Sequence, residues 1–311
     1  MGLTTILGAG GTIGNELARI LAAEKRPLRL VARNPRPSAL GEVVAADLSD
    51  REQTVRAVEG SDIVHLVAGL KYDIAVWRDL WPRIMANVIE SCKRAQARLV
   101  FFDNVYMYGH VTGPMTEETP FNPCSKKGEV RAKIATTVMD EMKSGNIHAM
   151  IARAPDFYGP ATSNGLPNVL VFEPLSKGAA ASWLVNADMP HSLIYTPDAA
   201  RAVAMLADRT SAWSQVWHLP TAPAPPSGRE LIIAAAKEFG TQPKFRVLNR
   251  PMLKVVGWFN PQVRESYEML YQNDSPYLFD STKFSKTFGF AGTPYPEGVR
   301  LCAASYKKSL T

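Results

Sequence analysis

At 311 residues the chain is long enough for one large core or a core with a smaller lobe, and 46% apolar with 21% charged residues is ordinary for a globular protein. The formal charge of +6 is scattered, with Lys126-Lys127 and Lys307-Lys308 the only adjacent lysines, so neither a nucleic-acid stripe nor a nucleic-acid partner is expected. No apolar run approaches a membrane span, the N-terminus enters a strand without a leader pattern, and Cys92, Cys124 and Cys302 form no disulfide framework or zinc spacing; a cytoplasmic protein without metal or membrane partner is the expectation.

Leu3–Leu7 is a β-prone run that ends in Gly8-Ala9-Gly10-Gly11, and a helical pattern follows from Ile13 through Leu17, Ile20 and Leu21. A strand turning tightly into a helix aims the helix's free N–H groups and positive dipole end at one spot, which suits a diphosphate. Ile13 occupies the third glycine position of G-x-G-x-x-G, so the pattern that fits is G-x-x-G-x-x-G at Gly8, Gly11 and Gly14. These glycines are expected to serve the tight turn, close approach of backbone to phosphate, and packing of helix on strand. Gly8, Gly11, Thr12, Ile13 and Gly14 are therefore the first cofactor-binding candidates.

Leu28–Ala32 reads as a buried parallel strand, followed by Arg33 and Arg36. An acidic residue near this point would accept hydrogen bonds from ribose hydroxyls, whereas an arginine suits a 2′-phosphate through bidentate pairing. Arg33 thus predicts NADP over NAD, and its other reading is an ordinary surface arginine. Val43–Leu48 is the third expected strand and Ile63–Val67 the fourth. A helix is expected over Ile74–Ala95, in which the polar Asn87 needs a hydrogen-bond partner. Leu99–Asp103 and Ile147–Arg153 complete an alternation of strands and helices that predicts an α/β fold with a Rossmann-type doubly wound parallel sheet.

The glycine spacing resembles that of the extended short-chain dehydrogenase/reductases, the branch holding nucleotide-sugar epimerases, dehydratases and related reductases. Asp47-Leu48 resembles the Asp-Leu that contacts the adenine in that family, although Asp47 also reads as a cap for a helix beginning near Asp50. His65-Leu66-Val67-Ala68-Gly69 resembles the family's His-Leu-Ala-Ala segment. The resemblance puts the backbone of Val67, Ala68 and Gly69 beside the cofactor and leaves His65 a buried strand residue. Asn87-Val88 resembles a stretch that sits mid-helix near the active site. Arg153 to Pro160 resembles the family's Arg-Pro-x-x-Val-Tyr-Gly-Pro, which implies that Pro155 and Phe157 lie along the nicotinamide end.

The chemistry departs from the family pattern. Its Ser/Thr four residues before a Tyr-Gly pair is Asn104 here, followed by Tyr108-Gly109, and its Tyr-Gly-x-Ser-Lys reads Lys127-Gly128-Glu129-Val130-Arg131. Lys127 therefore replaces the tyrosine and Arg131 the lysine; a rival register pairing Glu129 with Lys133 loses the glycine match. Hydride transfer to or from a carbonyl carbon needs a proton partner for the oxygen. Asn104 can donate a hydrogen bond but exchanges no proton, and Arg131 stays charged. Lys127 is a candidate acid/base, or else a solvated lysine near a helix start. Tyr106, Tyr108 or Tyr158 are the alternative donors.

Thr196 reads as an N-cap with Pro197 first in the helix, Gln215–Leu219 as a returning strand, Ser227 as the cap of a helix to Phe239, and Lys244–Leu248 as a strand before mostly helical chain to Tyr306. The expected domains are 1–160, an NAD(P)-binding Rossmann domain whose sheet is completed by about 190–220, and 161–311, mainly a substrate-binding lobe. Trp183, Trp258, Phe259, Tyr267, Met269, Tyr271 and Tyr277 imply a substrate with an apolar portion if several line a cleft, and Arg264 is the one candidate there for a diphosphate. His191, Ser192 and Asp198 form no defensible hydrolase arrangement. The resemblance implies an NAD(P)-dependent oxidoreductase or epimerase acting on a carbonyl or alcohol, dimeric through the helices near 74–95 and 126–144. Loss of the usual triad keeps open a non-catalytic NADP-binding regulator or sensor.

Overall fold

The computed structural model describes residues 2–160 and 162–308. In chain order the elements are β1 (Leu3–Leu7), α1 (Thr12–Ala23), β2 (Leu28–Ala32), β3 (Glu42–Ala45), α2 (Arg51–Val58), β4 (Ser61–Leu66), α3 (Ile74–Ala95), β5 (Arg98–Asp103), α4 (Lys126–Lys143) and β6 (Ala149–Arg153). There follow β7 (Asp156–Tyr158), α5 (Glu173–Ser176), β8 (Ala181–Leu184), β9 (Leu193–Tyr195), α6 (Thr196–Ala207), β10 (Val216–His218), α7 (Gly228–Phe239), β11 (Phe245–Leu248), α8 (Arg250–Phe259), α9 (Pro261–Ser266), α10 (Thr282–Phe288) and α11 (Tyr295–Lys308).

Two compact units divide the chain. The first comprises residues 1–109, 121–154 and 199–219, and the second 110–120, 155–198 and 220–311. In the first, among the described residues, seven strands form a sheet in the order β10-β6-β5-β4-β1-β2-β3, with parallel neighbours throughout. A parallel sheet is covered on both faces, which is why the apolar runs at Leu99–Phe101 and Ala149–Ala152 are continuous and wholly enclosed. Trp77, Trp81, Ile84 and Val88 of α3 join Val130, Ile134 and Val138 of α4 in one core against the sheet. Strand order reverses between β1 and β4, the place where open α/β sheets bind their ligands.

The third strand ends at Ala45 rather than Leu48, because Asp47 turns the chain. Its carboxylate oxygen Oδ1 accepts from the Ser49 amide (2.9 Å) and hydroxyl (2.8 Å). The helix cap is Asp50, which accepts from the Gln53 amide at 2.8 Å, so Asp47 does not cap α2. Asn87 finds its partner in the Leu48 carbonyl, to which its Nδ2 donates at 3.0 Å. A polar residue on the buried side of α3 thereby satisfies a loop carbonyl that has no strand partner.

The second unit holds two parallel strand pairs, β7 with β9 and β8 with β11. Its core gathers Tyr158, Phe172, Trp183, Tyr195 and Tyr295 with Leu231, Ile232 and Val299. Ser227 caps α7 in a full capping box with Glu230. Thr196 is itself the first residue of α6, and its hydroxyl lies 3.2 Å from that of Thr162. Of the aromatic and Met side chains expected near a substrate, Trp183, Met269 and Tyr277 are buried, whereas Trp258 and Phe259 face solvent.

His65 in β4 is fully enclosed, and desolvation lowers its pKa from 6.5 to about 3. The folded chain keeps it neutral where the unfolded chain takes a proton. Above pH 6.5 the two states agree; below it, stability is lost at about 1.4 kcal/mol per pH unit until the folded pKa is reached. Urea unfolding between pH 7 and pH 4.5 is expected to show a flatter loss of stability for His65→Leu than for the wild type, and equal slopes would contradict the enclosed, neutral imidazole.

Candidate functional site

The turn between β1 and α1 is built on backbone contacts that exclude side chains. Gly8 has φ +105°, and a Cβ on it would lie 2.5 Å from Cα and N of Ala68, just beyond β4. A Cβ on Gly14 would come within 2.6 Å of the Gly8 carbonyl, so α1 is pressed onto the turn. Gly11 is less confined, with only the Gly8 carbonyl at 3.3 Å; the second positive φ (+98°) belongs to Gly10. Asn15, which the glycine pattern does not include, holds that peptide from both sides. Its Oδ1 accepts from the Gly10 amide at 3.1 Å and its Nδ2 donates to the Gly10 carbonyl at 3.3 Å.

The start of α1 differs from its neighbours in the sheet. Helices α2, α3 and α4 carry side-chain caps from Asp50, Asp73 and Ser125. Helix α1 follows Gly11 with no side-chain cap and no acidic residue in its first turn. Its leading N–H groups, including those of Ile13 and Gly14, are what an anion would use. Thr12 and Ile13 open this helix, and Val67, Ala68 and Gly69 run past it, the Val67 amide bonded to the Leu7 carbonyl at 2.9 Å. Arg33 follows β2, exposed, with no ion pair or hydrogen bond to another described residue, and Arg36 is the same. Asp47 is half-buried in its turn and Leu48 is enclosed, its carbonyl shared by Asn87 and Thr54. All these positions lie at the C-terminal ends of β1 to β4. Pro155 and Phe157 belong to the second unit, where Phe157 in β7 is paired in register with Ile194.

The positions expected to carry the chemistry are largely occupied by structural bonds. Asn104 turns its Oδ1 to the Tyr106 amide at 3.1 Å, starting the short turn Tyr106–Tyr108. Arg131 is buried against Asp103; its Nε donates to Oδ1 at 2.8 Å, its Nη2 bonds the same oxygen, and its guanidinium lies 4.7 Å from the Trp81 ring centre. Asp103 also faces Arg153, Nε to Oδ2 at 3.7 Å. Arg153 Nη1 donates to the Tyr108 hydroxyl at 2.7 Å, which lies 2.8 Å from His218 Nε2. Asp103, Arg131, Arg153, Tyr108 and His218 are enclosed, and Asn104 is half-buried. Arg131 is thus engaged by an ion pair, and the Tyr108 hydroxyl by Arg153 and His218. Tyr158 is buried in the core of the second unit, where burial pushes its phenol far above its ordinary range. The ring of Tyr106 is stacked on Trp77 at 6.3 Å.

Lys127 is enclosed as well. It is not a solvated lysine: the side chain is buried, with Nζ 4.7 Å from the centre of the Tyr72 ring. Gly128 explains the register, because a Cβ there would meet the Tyr106 carbonyl at 2.6 Å and force α4 away from the Tyr106–Tyr108 turn. Tyr72, half-buried ahead of α3, is a phenol that no local pattern ties to Lys127, and the sequence reading missed it. In the second unit His191 Nε2 pairs with Asp156 Oδ2 at 3.0 Å, and its ring stacks on Tyr277 at 4.5 Å. Ser192 and Asp198 are separately engaged by the amides of Phe279 and Thr293, so these residues assemble no hydrolase triad.

A model of the NAD dependent epimerase/dehydratase family matches residues 4–217. Curated proteins show no match by sequence. Among solved structures, the Thermus thermophilus UDP-glucose 4-epimerase in complex with NAD superposes with a TM-score of 0.80 at 18% identity, covering 98% of this chain and 99% of that one. The Streptomyces venezuelae dTDP-glucose 4,6-dehydratase DesIV, with NAD and TYD bound, gives 0.80 at 16% identity, covering 98% and 97%. The Bordetella bronchiseptica enzyme WbmH in complex with NAD+ gives 0.77 at 18% identity, covering 99% of each chain.

Asp103→Asn leaves two enclosed guanidinium groups without their shared carboxylate. It is expected to cost about 3–5 kcal/mol, against about 1 kcal/mol for Asn104→Ala, which removes only the bond from the Tyr106 amide. Urea unfolding measures both; a mild effect at Asp103 would show that the pair does not hold the strand ends.

Proposed function

The chain belongs to the NAD dependent epimerase/dehydratase family, and within it we propose an NADP-preferring oxidoreductase or epimerase that acts on a carbonyl or alcohol substrate with an apolar portion. The observation that carries the reading is the uncapped start of α1 behind the Gly8 turn, where Ala68 stands so close that no side chain fits. A diphosphate suits that place, held by the amides that Gly8, Gly11, Thr12, Ile13 and Gly14 surround. Asp47 and Leu48 would border the adenine, and Val67 to Gly69 the central part. Arg33 supports the NADP preference, because its guanidinium is exposed and uncommitted at the end of β2. The bound nicotinamide would supply the hydride acceptor or donor.

The chain's own task is then to manage the substrate oxygen and its proton. Tyr72 and Lys127 offer a phenol beside a buried cation, which is the pairing a proton donor needs: the ammonium favours the phenolate left after proton transfer. Asn104 keeps its Nδ2 for a substrate oxygen, since its Oδ1 is held by Tyr106. A second reading, an NADP-binding regulator or sensor without turnover, draws support from the structural engagement of Asn104, Arg131 and Tyr108.

Calorimetric titration is expected to show NADPH binding at least about tenfold more tightly than NADH, with Arg33→Ala removing the difference. Equal affinities in the wild type would assign the chain to NAD. Single-turnover hydride transfer from bound NADPH to a panel of apolar aldehydes and ketones is expected to fall about 100-fold in Tyr72→Phe with cofactor affinity unchanged. Tight NADPH binding with no hydride transfer in the wild type would favour the regulator.

A further inference from the structure

Helix α8 turns its apolar side outward. Met252, Val255, Val256 and Phe259 follow the i, i+3, i+4, i+7 spacing that in a globular protein faces the core. Here Met252, Val255 and Val256 are 46%, 50% and 46% exposed, Phe259 is 84% exposed, and the adjacent Trp258 is 68% exposed. The helix docks instead through its opposite, slimmer side. Leu253 is buried there, and Gly257 lies against Arg264 of α9, where an added Cβ would be 3.3 Å from the Arg264 Cα. Asn249 caps α8 by accepting from the Met252 amide at 3.0 Å. Asn260 caps α9, accepting from Gln262 at 2.9 Å and Val263 at 3.2 Å. The stripe is therefore presented by a capped helix.

The segment that carries it is rich in cations. From Lys244 to Arg264 the chain carries five (Lys244, Arg246, Arg250, Lys254 and Arg264) and no acidic residue, and Glu265 follows directly. Arg250 is paired with Asp274, while Lys254 and Arg264 are exposed with no ion-pair partner among the described residues. A second copy of the same face would bring like charges together. A ten-residue helix about 15 Å long and about 10 Å wide offers on the order of 150 Å², far below the roughly 800 Å² per partner of a stable protein interface. A lipid surface needs only shallow insertion, takes Trp and Phe at headgroup depth, and supplies the anions.

We propose that α8 is a membrane-surface contact, which seats Met252, Val255, Val256, Trp258 and Phe259 in the interface of an anionic bilayer while Lys254 and Arg264 meet its headgroups. No helix among the described residues is long and apolar enough to cross a membrane, and a helix lying on the surface has no need to be. The sequence expectation of no membrane partner looked for a continuous apolar run, whereas this contact is a stripe. The proposal stands apart from the cofactor reading.

Flotation of the full chain with phosphatidylcholine vesicles, with and without 30 mol% phosphatidylglycerol (about a third anionic, enough to attract basic segments), tests it. The expected result is binding to the anionic vesicles alone, weakened by high salt. Trp258→Ser/Phe259→Ser is expected to reduce it at least about tenfold, and Lys254→Glu/Arg264→Glu to a similar degree. Both pairs are on the surface, and circular dichroism with NADPH titration checks that the fold is intact. Wild-type vesicle binding by the Trp258→Ser/Phe259→Ser variant, or no preference for anionic lipid, would overturn the proposal. So would a sedimentation dimer that this variant abolishes, which would make the face an interface between copies.

Discussion

One buried carboxylate holds the C-terminal ends of three neighbouring strands. Asp103 closes β5, binds Arg131 on α4 and faces Arg153 at the end of β6. Arg153 passes the link to Tyr108 and so to His218 at the end of β10. Removing such charges from water is expensive, and a pair recovers that cost only with good geometry and satisfied neighbours. Two guanidinium groups share this single carboxylate, so the excess positive charge needs other company. Aromatic faces provide it: Trp81 and Phe101 flank Arg131, and Tyr108 and Phe121 flank Arg153 at 5.2 and 5.0 Å.

That network engages positions singled out by resemblance. An arginine at 131 can be enclosed because Asp103 waits opposite it, and once paired it has no proton to give. Tyr108 keeps its place before Gly109 yet spends its hydroxyl inside the sheet. Lys127, at the head of α4, is set in place by Gly128 and lies over the Tyr72 ring. A phenol and an ammonium are thus brought together again, from different parts of the chain.

The other end of the site is simpler in its physics. Gly8 and Gly14 are needed because backbone atoms of Ala68 and of the turn itself already fill the space a side chain would take. Helices α2, α3 and α4 satisfy their first amides with their own side chains, and α1 does not. A helix that leaves those amides to the solvent side of a strand-order reversal is arranged for an anion.

The amino-acid sequence by itself determined the alternation of strands and helices, the glycine turn, the span of α3 and the cap at Ser227. These rest on interactions within a few residues: side-chain period, steric freedom at glycine, and caps that bond the next turn. By resemblance to a motif it also singled out Asn104, Lys127 and Arg131. It could not say what those side chains meet. Asp103 meets Arg131 across 28 positions and Tyr72 meets Lys127 across 55, and no periodicity links such pairs. Only the tertiary structure decided which cation is neutralised and that the apolar stripe of α8 faces outward. Period alone marks a stripe; which side is covered depends on the elements packed against it.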